Sequence, residues 1–131
     1  MGSDGSPLDK AIPNISIVDD DDAVREAMKG LVRSLGYRAF TFASVEGFFE
    51  SEQVSNTSCL ITDLHMPGLS GVELQDRLIA QGHRIPIIFI TGQPDDIART
   101  RAMKAGAVAF LSKPINHDHF IGCLDQALKA T

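Results

Sequence analysis

The chain has 131 residues, and its 17 acidic against 12 basic side chains give a net charge of −5. Hydrophobic residues make up 44% and charged residues 22%, which is typical of one globular domain and excludes a disordered or fibrous chain. The longest apolar runs, residues 85–90 and 108–111, are far shorter than the ~20 residues that span a bilayer. The acidic balance argues against a domain that binds nucleic acid directly.

The folded part of the chain is predicted to begin after a leader segment. Residues 1–12 are rich in Gly and Ser, lack apolar periodicity and do not have the pattern of a signal peptide. They are predicted to be a disordered leader or a cloning remnant, and residues 13–131 are predicted to form one domain.

Cys59 and Cys123 lie in apolar stretches and cannot form a CxxC pair. They are expected to be reduced core residues of a cytosolic protein.

After the leader, short apolar runs alternate with amphipathic segments. Val24, Met28 and Val32 recur at helical spacing, and Gly36 stands where a helix end needs a left-handed residue. Residues 70–73 have the capping-box pattern of a helix start. Strands are predicted at residues 15–19, 38–42, 59–63, 86–91 and 108–111, and helices at residues 21–35, 44–51, 70–80, 94–105 and after Asn116.

The inward faces of the helices carry the predicted core. In the first two helices these faces hold large side chains, namely Met28, Phe48 and Phe49. In the fourth helix they hold only small ones, namely Ala98, Ala102 and Ala105. The fourth helix is therefore a weaker prediction than the others.

Strands that are apolar on both faces and alternate with helices predict a parallel sheet that is covered on both sides. Right-handed crossovers leave few topologies, and five strands favour the doubly wound order 2-1-3-4-5 over 3-2-1-4-5-6. This order places the strand at 38–42, whose residues alternate between polar and apolar, at an edge. The predicted fold is an α/β three-layer sandwich, (βα)5.

Polar side chains follow the ends of four predicted strands. Asp19 and Asp20 end the first strand, Asp63 the third, Thr91 the fourth, and Lys113 follows the fifth. Since neighbouring strands lie ~4.8 Å apart and ligands bind at this edge of such sheets, these side chains are expected to share one crevice. Clustered carboxylates suit Mg²⁺, and an ammonium with a hydroxyl suits phosphoryl oxygens.

Other phosphate and hydrolase chemistries lack their residues here. Gly68 and Gly71 do not belong to a GxxxxGK[ST] loop, and no Ser-His or Cys-His pair is suggested by the strand ends. What remains is an aspartate nucleophile that accepts a phosphoryl group beside Mg²⁺.

Four segments together resemble the receiver domain of bacterial two-component response regulators, which is CheY-like and flavodoxin-like in fold. They are residues 17–21 (IVDDD), 60–71 (LITDLHMPGLSG), 90–92 (ITG) and 104–114 (KAGAVAFLSKP). Their order and spacing match the family over residues 14–130. The sequence around Asp63 and Lys104 is similar to that of the FixJ-like subclass, whose members usually carry a LuxR-type helix-turn-helix domain.

The resemblance implies a role for each residue of the phosphoryl site. Asp63 is the expected phosphoacceptor, and it attacks a phosphohistidine of a partner sensor histidine kinase. Asp20 is expected to ligate Mg²⁺ (Mn²⁺ being the alternative ion) directly and Asp19 through water. The backbone carbonyl of His65 and the Asp63 carboxylate complete the implied protein ligands.

The resemblance also implies a switch. Thr91 is expected to bind a phosphoryl oxygen and move toward it, and Lys113 to pair with the phosphoryl group. The Lys113–Pro114 peptide bond is expected to be cis. Phe110 stands at the aromatic switch position and has no hydroxyl, so its switching would act through packing alone.

The implied output acts through the face made by the fourth helix, the fifth strand and the fifth helix. Phosphorylation is expected to shift that face, to promote a homodimer through it, and to control a DNA-binding output domain that is absent from this chain. The domain itself is expected to be cytoplasmic, not an enzyme on external substrates, and to contact neither nucleic acid nor membrane.

Two functions of other classes stay open beside the switch. An aspartate-nucleophile phosphatase acting on an external phosphoester needs a second Asp two residues after the nucleophile, where this chain has His65. A flavin-binding module needs a phosphate loop after the first strand, where the acidic run 19–22 is electrostatically unsuitable. His65 itself is interpreted either as a solvent-facing loop residue or as a residue that controls access to Asp63.

The remaining polar runs have ordinary structural interpretations. Asp21 and Asp22 are predicted to cap the first helix and complement its dipole. The run from His117 to His119 resembles a metal-binding sequence, but it opens a helix and is predicted to lie on the surface.

Overall fold

A computed structural model describes residues 12–129 of the chain. Its strands are β1 (Asn14–Val18), β2 (Arg38–Phe42), β3 (Cys59–Asp63), β4 (Ile87–Thr91) and β5 (Ala109–Ser112). Its helices are α1 (Asp22–Ser34), α2 (Val45–Glu50), α3 (Gly71–Ala80), α4 (Asp96–Lys104) and α5 (His117–Lys129). The predicted leader, apart from Ile12, lies outside the described residues. Within them, no helix combines the length and the hydropathy that a membrane crossing requires.

The five strands form one parallel sheet in the order β2-β1-β3-β4-β5, so the predicted topology is confirmed. Alternate residues of the strands face opposite layers. Ile15 and Ile17 pack with the apolar stripes of α1 and α5, and Leu60 and Phe89 pack with α2, α3 and α4. The predicted three-layer sandwich is therefore confirmed, with β2 at an edge as expected.

Side-chain caps set the helix starts. Asp21 accepts hydrogen bonds from the N–H groups of Ala23 and Val24, and Ser70 and Glu73 form the complete capping box. Such caps satisfy the N–H groups that have no partner within the helix. At the other end of α1, Gly36 has a φ of 92°, a conformation that suits glycine.

Two expectations about the core need correction. Ala105 was expected to face inward, but it is the C-cap of α4 and is exposed, because the helix ends at Lys104. Phe49 is half-buried rather than fully in the core; its ring packs edge-on against Phe48 and lies under the guanidinium of Arg77. Ala102 is the buried residue of α4, so this helix is held by little apolar surface.

Both cysteines are buried and unpaired, in agreement with the prediction that they are reduced core residues. Burial raises the pKa of the Cys59 thiol to about 12, and it raises the pKa of Cys123 as well. Both side chains are therefore thiols at neutral pH and behave as small apolar residues.

Candidate functional site

Strand register brings the acidic residues together. Val18 of β1 lies opposite Thr62 of β3, so the next residues, Asp19 and Asp63, leave the sheet at the same level. Asp20 follows directly, and one carboxylate oxygen from each of the three aspartates lies within 4.8 Å of the other two. The crevice predicted at the carboxyl edge of the sheet therefore contains all three carboxylates.

The ammonium of Lys113 lies between two of these carboxylates. Its Nζ is 3.3 Å from Asp19 Oδ2 and 3.7 Å from Asp63 Oδ2. Asp19 is fully buried and Asp63 is only 7% exposed, so the ammonium offsets charge that water barely solvates. The Lys113–Pro114 peptide bond is cis, the conformation that we expected.

Arg25 of α1 holds the acidic turn in place, a role that the sequence pattern does not reveal. Its guanidinium donates to the backbone carbonyl of Asp19 at 2.7 Å and also pairs with the Asp22 carboxylate. The Asp19 carboxylate in turn accepts the N–H of Asp21 at 2.9 Å. These bonds fix the direction in which the Asp19 side chain enters the crevice.

The pKa of Asp63 is raised above its ordinary value of 3.8, chiefly because the carboxyl is removed from water and secondly because Asp19 is a negative neighbour. The Lys113 ammonium and the backbone N–H groups of His65 and Leu64 act in the opposite direction, because they stabilise the carboxylate. The ionised site is therefore electrostatically unfavourable without a further cation.

This electrostatic cost gives a prediction about stability and pH. Asp63→Asn is expected to increase the free energy of unfolding at pH 7 in the presence of a chelator. A carboxyl whose folded pKa exceeds its unfolded value weakens the fold only where it ionises, so the gain should fall toward zero as the pH falls to about 4. Urea melts at both pH values measure it.

Asp125→Asn, which changes an exposed carboxylate on α5, serves as the control and should show no comparable gain. A gain from Asp63→Asn that is equal at pH 7 and pH 4 would contradict the electrostatic explanation.

Thr91 ends β4 beside this crevice, next to the residue that pairs with Asp63. Its hydroxyl accepts the N–H of Gln93 at 3.1 Å and donates to the carbonyl of Gln93 at 3.0 Å. In this structure the hydroxyl thus bonds to its own loop. The neighbouring β5 places Lys113 at the crevice through a bond from its N–H to the carbonyl of Thr91 at 2.7 Å.

Phe110 and His65 lie on two sides of this region. Phe110 is half-buried, and its ring packs against Phe89 with 5.9 Å between the centroids. His65 is exposed, and its Nε2 lies 3.6 Å from Oδ2 of Asp95, a residue that no sequence motif marks. The histidines at 117 and 119 are exposed, as predicted.

The donor set fits a small divalent cation. Three carboxylates offer hard oxygen atoms within 4.8 Å of one another, and Asp20 is exposed, so an ion can enter from solvent with part of its water shell. The three carboxylates outnumber the ammonium of Lys113, so these four groups together carry net negative charge. Asp19, Asp20 and Asp63 are therefore the residues that could hold Mg²⁺, with the His65 carbonyl on the same loop as a fourth candidate.

Gly71 makes room for this loop, which the sequence pattern did not reveal. A Cβ at this position would lie 2.5 Å from the backbone oxygen of Asp63 and 3.0 Å from the ring of Phe89. The N–H of Gly71 also donates to the carbonyl of Leu64 at 3.0 Å. The start of α3 therefore lies directly against the chain that carries Asp63.

A parallel sheet in the order 2-1-3-4-5, with clustered carboxylates and a lysine at its carboxyl edge, defines a CheY-like domain of the flavodoxin-like class. The family model of the response regulator receiver domain matches residues 15–125. The chain belongs to this family and is a receiver domain of a two-component response regulator.

Its relatives include bacterial transcription regulators. The chain is 44% identical over 115 residues to the response regulator protein TmoT of Ectopseudomonas mendocina, a match that covers 88% of this chain and 52% of the relative. It is 34% identical over 116 residues to the transcriptional regulatory protein FixJ of Bradyrhizobium diazoefficiens, covering 88% of this chain and 57% of the relative. The chain thus spans about half the length of these curated relatives.

Solved structures agree with these matches. The response regulator StyR superposes with a TM-score of 0.85 at 42% identity, covering 92% of this chain and 61% of that one. The FixJ-N structure superposes with a TM-score of 0.81 at 34% identity, covering 91% of this chain and 95% of that one. Similarity to FixJ is consistent with the predicted FixJ-like subclass.

Proposed function

We propose that Asp63 is the phosphoacceptor of a signalling switch and that Asp19, Asp20 and the His65 carbonyl hold Mg²⁺ beside it. The observation that carries this proposal is the position of the Lys113 ammonium, 3.3 Å from Asp19 and 3.7 Å from Asp63. The buried Asp63 carboxylate lies beside one fixed cation and two further carboxylates. This arrangement suits a nucleophile that can react with an anionic phosphoryl group only when a divalent ion offsets the negative charge.

In the proposed transfer, a carboxylate oxygen of Asp63 attacks phosphorus, and the P–N bond to the histidine of a sensor kinase breaks as the O–P bond forms. Bound Mg²⁺ would supply charge neutralisation for the phosphoryl oxygens. Lys113 then pairs with the phosphoryl group instead of with Asp63. Thr91 gives up its bonds to Gln93 and turns its hydroxyl to a phosphoryl oxygen.

The proposed output is a shift of the face formed by α4, β5 and α5. The exposed side chains of Ile97, at 85%, and Met103, at 40%, support a partner surface on α4. Phe110 would change its packing against Phe89 when Thr91 moves. We also propose a homodimer through this face and a DNA-binding output domain. The likeness to FixJ, a transcriptional regulatory protein, supports an output that acts on transcription.

The chain covers about half of the length of each of those relatives. The output domain, the target genes and the partner kinase are therefore proposals about the whole protein. Residues 13–131 are the proposed limits of the receiver domain. We place it in the cytoplasm, where response regulators typically act, and we propose that it catalyses only its own phosphorylation and dephosphorylation.

Phosphorylation is tested by incubating the protein with acetyl phosphate and Mg²⁺ and measuring its intact mass. We expect one added phosphoryl group that is lost on treatment with hydroxylamine, as an acyl phosphate is, and that maps to the peptide containing Asp63. Excess chelator should prevent labelling, because the carboxylate cluster then repels the donor. Labelling that is equally fast with chelator would contradict the metal assignment.

The phosphatase alternative predicts a different result from the same mixture. It requires continuing release of phosphate from an external phosphoester, with a general acid two residues after the nucleophile. That residue is His65, whose side chain contacts Asp95. Sustained turnover of p-nitrophenyl phosphate that depends on Asp63 would favour the phosphatase, whereas stoichiometric labelling favours the switch.

A further inference from the structure

His65 connects two parts of the molecule. Its backbone N–H lies on the side of the Asp63 carboxyl group and acts to lower the pKa of that group. Its side chain reaches the loop before α4, with Nε2 3.6 Å from Oδ2 of Asp95. One residue of the β3–α3 loop thus contacts both the proposed phosphoacceptor and the loop that precedes α4.

Asp95 starts α4. Its Oδ1 accepts the N–H of Ala98 at 2.9 Å, which is the N-cap bond of the helix, while its Oδ2 is the oxygen that faces His65. The two carboxylate oxygens therefore have separate partners. A change at one of them alters the orientation and charge that the other presents to the helix.

The fold holds α4 weakly by other means. Ala102 is its buried residue, and Ile97 is 85% exposed. Besides its cap, α4 is attached through an ion pair between Arg101 and Asp76 and a hydrogen bond from Gln75 to the carbonyl of Ala102 at 3.1 Å. With so little buried apolar surface, a single polar contact at its start can change its position.

We propose that the contact between the side chains of His65 and Asp95 is a latch that holds the start of α4 in its unphosphorylated position. This inference rests on the proposed function and adds to it a route from Asp63 to α4 that is separate from Thr91 and Phe110. The phosphoryl group brings nearly two negative charges to Asp63, two residues before His65. These charges compete with Asp95 for the imidazole and repel the Asp95 carboxylate.

Thermodynamic linkage then fixes the direction of the effect. A contact that exists only in the unphosphorylated state opposes the phosphorylated state by its own strength. The side chains of His65 and Asp95 are 46% and 32% exposed, so water reaches the contact and weakens it. Its removal is expected to favour the phosphorylated state about two- to fivefold.

The test uses two variants that keep the local structure. Asp95→Asn retains an oxygen for the cap bond to Ala98, because Asn is as good an N-cap as Asp, but it loses the charge. His65→Gln retains a polar side chain and the backbone bonds. His83→Gln is the matched control, since His83 lies before β4 at the opposite end of the sheet.

The first measurement is the backbone amide resonance of Ala98 in the unphosphorylated chain of 131 residues. We expect His65→Gln to shift it and His83→Gln to leave it unchanged. The second measurement is the affinity for beryllofluoride, a phosphoryl mimic, with Mg²⁺. Asp95→Asn should tighten it about two- to fivefold in the wild type and leave it unchanged in the His65→Gln background.

The latch is overturned if His65→Gln leaves the Ala98 amide resonance unchanged. It is also overturned if Asp95→Asn changes the beryllofluoride affinity equally in the wild type and in the His65→Gln variant. Failure of the wild type to bind beryllofluoride or to accept a phosphoryl group overturns the proposed function instead. The amide measurement needs no phosphorylation, so it still decides whether the contact controls the start of α4.

Discussion

Asp63→Asn is expected to abolish labelling by acetyl phosphate in the presence of Mg²⁺, with a loss of about 10³-fold or more, as removal of a covalent nucleophile typically causes. The carboxamide has no anionic oxygen to attack phosphorus. It also removes one of the three clustered carboxylates, so the site loses an oxygen ligand for the cation. Intact-mass measurement over a time course gives the rate.

The urea melts separate this loss from misfolding, because the same substitution is expected to stabilise the metal-free protein at pH 7. Asp125→Asn removes one exposed negative charge from α5 and serves as the matched control, which should label at the wild-type rate. Labelling of Asp63→Asn at another aspartate, such as Asp20, would show that the acceptor was assigned to the wrong carboxylate of the cluster.

The fold could be predicted because strand and helix patterns are local. Short runs apolar on both faces, such as the one ending at Asp63, belong to covered parallel strands, and the sheet order then follows from strand number and crossover handedness. The site could be predicted for the same reason. Parallel strands end at one edge, so Asp19 and Asp63 had to leave β1 and β3 side by side once the register of Val18 with Thr62 was formed.

What the sequence did not reveal depends on side chains that meet across separate elements. The bond from Arg25 to the Asp19 carbonyl and the contact of His65 with Asp95 join residues with no common pattern. The exposure of Ala105 depends on where α4 ends, because an alanine one residue beyond the helix no longer shares its inward face. The spacing of apolar residues along the chain does not specify the last residue of a helix or which side chains of separate elements meet.

Gly71→Ala is expected to lower the free energy of unfolding by about 3 kcal/mol, because the added methyl group enters a space that is already filled. Its Cβ would lie 2.5 Å from the Asp63 carbonyl oxygen, 3.0 Å from the Phe89 ring and 3.3 Å from Leu64 Cα. Two of these neighbours are backbone atoms, which cannot rotate away. Relief requires moving either the start of α3 or the end of β3.

Gly122→Ala is the matched control, since the same methyl group on α5 meets nothing within 4 Å. Alanine is the better helix former, so this variant should gain about 0.5–1 kcal/mol. Urea unfolding of both variants therefore gives opposite signs for one chemical change. Because the displaced backbone carries Asp63, Gly71→Ala should also slow labelling by acetyl phosphate. A Gly71→Ala protein as stable as the wild type would show that α3 can move without disturbing the acceptor.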